Sequence, residues 1–600
     1  MRFKSNTTGG YTVYAVTGTN TASFAIDYRE ADTKGLLGFA VERRDPTADE
    51  KYFMYGFKVF KDILPHPTKE TKVSTFNHPV QSFVWDDFTC KTDRVYEYSF
   101  YPLKGKPKNI DRSASPVKIK IKTEALYSTE DEHDVFFNRG VASSQAYSRE
   151  FNNVPPDKIT DPDQRKRAFA WLGRDLPAAL LKFIGQAKKG DTLLGCFYEF
   201  RFLEVAQAFK AALDRGVNVK IIFDAKVNGF TDKKGAVQKS FPREENLDMV
   251  KKAGLPASSI IKREANANNI HHNKFIVLQR KGETDPSAVW TGSTNISQGG
   301  IYGQTNVGHW VRNTETAKQY KKYWEVLSSD PGGQAGDTQS DKNKKNKVFK
   351  TNVVAIQDDL PGATLNDIPK GITTIFSPRS AINMLNNYAG MVDGATDLAN
   401  VTLAFGVNAV FKNLLQNNNA QGAITFMLLE KEDKAKPKSK TPFTFLGAAN
   451  NVYQAFGSYI SDPLYDWVQV ETSTRNLKLN SHVAYIHSKF LLMDPLSDDP
   501  VVVTGSANFS DASTKSNDEN MIIVRGNRRV ADIYFTEFNR LFNHYYFRAV
   551  FEKTKDQAAA KTEDSFYLQV DDSWTGKYKP GSLRAKRVLT YSKMKGFTKP

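Results

Sequence analysis

Two short patterns of histidine, lysine, glycine, serine and asparagine recur in this 600-residue chain. The first is His272-Asn273-Lys274, followed by Thr291-Gly292-Ser293-Thr294-Asn295. The second is His487-Ser488-Lys489, followed by Thr504-Gly505-Ser506-Ala507-Asn508. From histidine to glycine is 20 residues in the first copy and 18 in the second, which marks an internal repeat. In an extended strand residues i and i+2 share a face, so His272 and Lys274 project together, as do His487 and Lys489. Each copy then supplies an imidazole, an ammonium and the polar groups of Ser293 and Asn295 or of Ser506 and Asn508. Two such sets facing each other suit one phosphodiester. A neutral imidazole can attack phosphorus and form a phosphohistidine. The opposite imidazole, protonated, can give its proton to the leaving alcohol and then activate water. Lys274 and Lys489 would hold the phosphoryl oxygens, with Ser293, Asn295, Ser506 and Asn508 completing the cradle. None of these roles requires a metal or a cofactor.

The surrounding pattern has to position these groups. Phe275–Leu278 and Phe490–Met493 are apolar runs that anchor the two histidine strands. Helical periods and buried-strand runs alternate from about residue 160, with one helical stretch expected from Arg167 to Gly190, and the alternation restarts after a polar stretch at Gly332–Lys347. The first 124 residues read differently. Short β runs broken by Gly, Pro, Asn and Asp end in Val117–Lys122, where Val, Ile and Ile alternate with lysines. The expected organisation is an accessory β-sandwich over 1–124, resembling fibronectin type III or immunoglobulin-like domains. An α/β half over 160–330, a linker over 331–352, a second α/β half over 353–550 and a basic, aromatic tail over 551–600 follow.

The paired HxK and GSxN motifs resemble the phospholipase D superfamily. That resemblance implies two α/β/α halves meeting at a shared active site on a pseudo-two-fold axis, and a two-step reaction through phosphohistidine. The second copy matches throughout, with His487, Lys489, Asp494, Gly505, Ser506 and Asn508. It also carries Asn517-Asp518-Glu519-Asn520, in which Glu519 matches the acid that orients a histidine. The first copy departs from the pattern. Gln279 replaces the motif aspartate, a position with a structural role in the family, and the stretch ending at Asn306 lacks the acid. The family pattern makes His272 the nucleophile and His487 the general acid/base. Against it, His487 is the imidazole expected to have Glu519 as partner, so the sequence leaves both orders open. His271 should point away from the site, and Glu199 and Phe197 read as packing at a strand end.

Composition narrows the substrate class. Lys and Arg total 83 against 66 Asp and Glu, a net charge of +17, which suits an anionic partner. Two cysteines exclude a disulfide scaffold or a cysteine-rich zinc site. There is no signal-peptide pattern and no run long enough to span a membrane, so the expected compartment is the cytoplasm, with non-classical export left open. A hydrolase of the phospholipase D type acting on phospholipid headgroups is the leading reading. A metal-independent nuclease is the alternative, and a non-catalytic phosphate-binding module the third. The tail from Trp574 holds eight basic residues and no acid, and its aromatic residues could stack on bases or enter a lipid interface. Because both motifs lie in one chain, a monomer can build the site, and peripheral membrane contact is compatible with it.

Overall fold

A computed structural model of the chain describes residues 1–56, 58–67, 71–140, 147, 150–152, 154, 156–231, 237–356, 367–404, 406–418, 422–433, 444, 446–457, 486–555 and 567–598, with side chains given for 486–546 of the penultimate span. Part of the charged loop expected after Glu430 lies outside these residues.

Two seven-stranded mixed sheets carry the repeat. In the first, the order is His133–Phe137, Val307–Val311, Ala288–Gly292, Lys274–Gln279, Thr192–Phe197, Asn218–Asp224 and Ile260–Arg263. In the second it is Gly371–Ser377, Glu519–Arg525, Val501–Gly505, Phe490–Met493, Leu398–Leu403, Ile424–Leu429 and Val452–Phe456. Strand directions match position by position. The first five strands of each order pair antiparallel, and the last three pair parallel. The central strands are buried along almost their whole length because helices cover both faces of the sheets.

The helical stretch expected to run unbroken to Gly190 is two helices, Pro162–Gly173 and Leu176–Gly185. The break falls at Arg174, whose φ of 49° no helix accommodates, and Pro177 starts the second helix. The first sheet also takes its edge strand, His133–Phe137, from upstream of the α/β pattern read in the sequence.

The N-terminal region forms two antiparallel sheets that face each other. Val117, Ile119 and Ile121 are buried while Lys118 and Lys120 are exposed, as their alternation predicts. Phe24 of one sheet packs 4.7 Å from Tyr98 of the other, and Tyr11 packs 5.2 Å from Phe39, centroid to centroid. The basic tail completes this region instead of extending into solvent. Trp574, Tyr578 and Tyr591 are buried; Trp574 Nε1 donates to the Leu36 carbonyl at 2.8 Å, and Phe83 N donates to the Tyr578 hydroxyl at 3.1 Å. These three rings are therefore core and not a stacking platform. Buried Arg2 pairs with Asp532 at 2.9 Å, tying the N-terminal region to the long helix Arg528–Lys555 behind the second sheet.

The stretch read as a linker also has structure. Thr338 accepts from Asp341 N and starts a helix, Gln339–Val354. Its lysines and asparagines resemble a linker in composition, but Phe349 and Val353, one turn apart, are buried, with Arg263 stacked 5.2 Å from the Phe349 ring.

A buried relay lies at the edge of the first sheet. His133 Nδ1 is 2.9 Å from His309 Nε2, and His309 Nδ1 is 3.2 Å from the Tyr534 hydroxyl on the long helix. Burial brings His133 down to about 4, and burial with the neighbouring His133 charge holds His309 well below its usual range. The unfolded chain, with histidines near 6.5, therefore takes up protons first as the pH falls. Stability is expected to be complete above about 6.5 and to decline as the pH falls toward about 4. Denaturant midpoints measured across that window check this; a flat profile contradicts it.

Candidate active site

The repeated motifs meet at the seam between the two sheets. The His272 and His487 rings lie 6.3 Å apart, centroid to centroid, at 76° to one another. Both line a cavity of about 350 Å³, together with Tyr198, Glu199, Arg201, Asn295 and Asn508 among others. Backbone bonds stitch the lobes together here. His272 N donates to Asp518 O at 2.9 Å, Asp518 N donates to Ile270 O at 3.0 Å, and Thr305 bridges to Ile486. Asn520 Nδ2 donates to Asn273 Oδ1 at 2.7 Å.

The partners of the imidazoles cross this seam. Glu519, from the second lobe, holds His272 of the first lobe, with Nδ1 to Oε2 at 2.9 Å. Asn306, from the first lobe, holds His487 of the second, with Nδ1 to Oδ1 at 2.9 Å. This corrects the expectation that Glu519 serves His487. It also refines the alignment of the repeat. Gly292 pairs with Gly308 and Gly505 with Met521, so Asn306 occupies the slot of Glu519, and an amide stands where the repeat has an acid. Asn306 Nδ2 donates to the Gly300 carbonyl at 2.7 Å, which turns its Oδ1 toward the ring.

The glycines of both GSxN turns explain the close approach of these partners. Gly292 has φ 136° and Gly505 φ 158°, and a Cβ on either would lie 2.3 Å from Val307 O or 2.2 Å from Asn520 O. Only glycine lets the strand bearing Asn306 or Glu519 come so near. The serines that follow do not reach the cavity as expected. Ser293 Oγ donates to Asn306 Oδ1 at 2.8 Å and Ser506 Oγ donates to Glu519 Oε2 at 2.7 Å, so each orients the residue that orients an imidazole. Asn295 and Asn508 do line the cavity, and their Oδ1 atoms have no partner among the described residues. Lys274 and Lys489, expected to hold phosphoryl oxygens, are buried and do not line the cavity; each Nζ donates to the carbonyl of its own motif histidine at 2.6 Å.

The electrostatics favour an anionic guest. Burial, followed by the charges of Lys274 and Lys489, holds His272 well below its usual range. Burial, then Lys489, Lys274 and His272, does the same to His487. Burial also brings Lys274 down to about 7, against the pull of Glu519 and Glu199, and pushes Lys489 down with help from Lys274. Burial raises the Glu519 carboxyl to about 7. Every one of these shifts reflects charge held in a low dielectric, and a phosphate between the ammonium groups would relieve the cationic ones.

Glu199, read in the sequence as packing, lines the cavity instead, accepting from Asn295 Nδ2 at 3.2 Å and from Arg201 at 2.9 Å. The alternating Glu199-Phe200-Arg201 at the strand end was the available signal. Phe197 does pack, stacked on Phe200 at 5.4 Å. His271 turns away from the cavity, with Nε2 2.8 Å from the Ala265 carbonyl.

Asp494 and Gln279 occupy matching positions at the ends of their strands. The Asp494 carboxylate accepts from Thr396 N, Thr396 Oγ1, Asp397 N and Leu398 N at 2.8–3.0 Å and clamps the start of the neighbouring strand. In the first lobe the carboxylate comes from the facing side. Asp191 accepts from Lys281 N and Arg280 at 2.9 Å, while Gln279 Nε2 donates to the Glu283 carbonyl at 2.7 Å. The same loop junction is thus tied from the opposite strand.

A family model described as cardiolipin synthase, PLD-like domain, matches residues 180–327 and 398–542, one segment on each sheet. No curated protein matches the chain in sequence. Among solved structures, phosphatidylserine synthase from Haemophilus influenzae Rd KW20 is 12% identical, with a TM-score of 0.38, over 70% of this chain and 93% of its own. Polyphosphate kinase from Porphyromonas gingivalis is 11% identical, with a TM-score of 0.35, over 58% of this chain; the match spans 46% of the kinase, under half its length. Nuc from Salmonella typhimurium, a phospholipase D family member, is 20% identical, with a TM-score of 0.18, over 25% of this chain and 84% of its own. Both lobes thus match a PLD-like domain, and the resemblance of the paired motifs to the phospholipase D superfamily extends over both sheets.

Proposed function

We propose that the protein is a phosphodiesterase working through a covalent phosphohistidine, with phospholipid headgroup esters as its substrates. The observation that carries this reading is the pair of imidazoles from opposite lobes on one cavity, each with Nδ1 held from across the seam. With Nδ1 of His272 engaged by Glu519, Nε2 is the nitrogen available to phosphorus. A bond forms from His272 Nε2 to phosphorus, and the bond from phosphorus to the leaving alcohol breaks. His487, protonated, gives its proton to that alcohol. It then takes a proton from water, whose oxygen attacks phosphorus as the phosphorus–nitrogen bond breaks. An alcohol in place of water would give transfer instead of hydrolysis. Glu519 stabilises the positive charge that builds on His272, Asn295 and Asn508 steady the equatorial oxygens, and the buried Lys274 and Lys489 ammonium groups add positive potential at the site.

The depressed basicity of His487 fits this cycle. A phosphodiester anion in the cavity offsets the charge of the buried lysines and favours protonation of His487, so the acid forms where the substrate is bound. A second reading, a nuclease, draws on the net charge of +17. Turnover measured side by side on phosphatidylcholine vesicles, single-stranded DNA, duplex DNA and an aryl phosphodiester separates the two. Release of headgroup from vesicles supports the first; cleavage of DNA alone replaces it with the second. Because the protein's own side chains carry every charge-stabilising role, turnover is expected to persist at an unchanged rate in excess chelator; dependence on an added divalent ion contradicts the mechanism.

A further inference from the structure

The mouth of the cavity carries an unusual arrangement of apolar and basic side chains. The strands Thr192–Phe197 and Asn218–Asp224 run parallel, with Phe197 beside Phe223, so the chain leaves both at the same edge. After the first strand come Tyr198, Glu199 and Arg201, which line the cavity. After the second comes a two-stranded ribbon, Phe230–Thr231 paired with Val237–Gln238. Phe241 at its foot packs on Tyr198 at 6.2 Å and under the Arg201 guanidinium at 5.5 Å, which seats the ribbon at the rim.

The ribbon is apolar where water meets it. Val227 is 68% exposed, Phe230 50% and Val237 76%. Val237 pairs opposite Thr231 and Phe230 opposite Gln238, so Phe230 and Val237 lie on opposite faces. No flat partner surface covers both faces at once, whereas a fluid apolar phase surrounds both. Cations flank them. Lys239 on the ribbon is exposed, as are Lys344 and Lys347 on the helix Gln339–Val354, which also bears Val348 at 59% exposure. The loop before His272 links the two regions: Lys226 Nζ, four residues before the ribbon, donates to the Asn269 carbonyl, and Gly333 N bridges Asn266 Oδ1 at 3.0 Å and Asn346 Oδ1 of the helix at 3.1 Å.

Resting on the lipid reading above, we propose that this rim is a docking surface for an anionic phospholipid bilayer: Val227, Phe230 and Val237 enter the headgroup–acyl boundary, Lys239, Lys344 and Lys347 meet lipid phosphates, and the cavity opens onto the membrane. Aliphatic side chains interleaved with lysine suit that interface, whereas a single-strand nucleic acid groove uses successive aromatic platforms.

Co-sedimentation of the full chain with vesicles of phosphatidylcholine and phosphatidylglycerol tests it. The triple variant Val227→Ser, Phe230→Ser, Val237→Ser should lower the partition coefficient by about tenfold or more, and Lys344→Ala with Lys347→Ala should lower it by roughly tenfold at low salt only. Turnover of a short-chain, water-soluble phosphodiester and the thermal midpoint should stay unchanged in both. Equal vesicle binding by the serine variant overturns the proposal, as does binding of single-stranded DNA with a steep salt slope and no vesicle binding. If vesicles are bound through these residues but no phospholipid is turned over, the docking surface stands and the substrate reading above fails.

Discussion

Replacing His272 with alanine will lower turnover by roughly 10⁴-fold or more while leaving the fold intact, because it removes the nitrogen that would bond phosphorus. His487→Asn should also stop steady-state turnover, but by a different route. An aryl phosphodiester, whose leaving group needs no proton, should still transfer its phosphoryl group to His272 in that variant. Rapid quenching at high pH, where phosphohistidine survives, should then recover an acid-labile phosphoryl adduct from His487→Asn and none from His272→Ala. The reverse pattern, with the adduct kept in His272→Ala, would assign the nucleophile to His487. The geometry argues for the first outcome. A nucleophilic imidazole acquires positive charge as it bonds phosphorus, and the carboxylate that can stabilise it, Glu519, sits 2.9 Å from His272. His487 Nδ1 instead meets the neutral amide of Asn306.

That asymmetry yields the second large effect. Glu519→Gln keeps the shape and the Ser506 contact but removes the charge that meets the imidazolium. The expected loss is roughly 10²- to 10⁴-fold in kcat, about 3 to 5 kcal/mol of barrier, with little change in KM. Asn306→Asp makes the mirror-image change. It places a carboxylate on His487 and should raise its basicity, so that the high-pH limb of the kcat profile moves upward by about one unit or more. Because both substitutions are buried, thermal midpoints have to be measured beside the rates. A Glu519→Gln enzyme with normal kcat, or an unmoved limb in Asn306→Asp, means that these residues only pack.

Much of the architecture was legible before any coordinates. The alternation at Val117–Lys122 fixes which face of that strand is buried, and the apolar run after each His-x-Lys marks the strand that anchors it. Those inferences rest on distances of a few residues, which backbone geometry sets locally. The misreadings share one cause. Trp574, Tyr578 and Tyr591 sit in a basic tail that looks solvated, yet the N-terminal sheets, hundreds of residues away in sequence, help to cover them. The lysine-rich run at 339–354 resembles a linker until Phe349 and Val353 find a surface to bury against. Gln279 looks like a lost motif residue because its replacement, Asp191, comes from another strand.

The chain's own order of residues settles that two imidazole–lysine pairs exist, that each leads into a buried strand, and that glycine must open the turn behind each. It does not settle which acid serves which ring. Glu519 lies 32 residues after His487 and 247 after His272, and the nearer histidine is the wrong one. Hydrogen bonds of about 3 Å are decided by how the two sheets meet, and the backbone bridges from His271 to Asp518 and from Ile486 to Thr305 turn each partner across the seam.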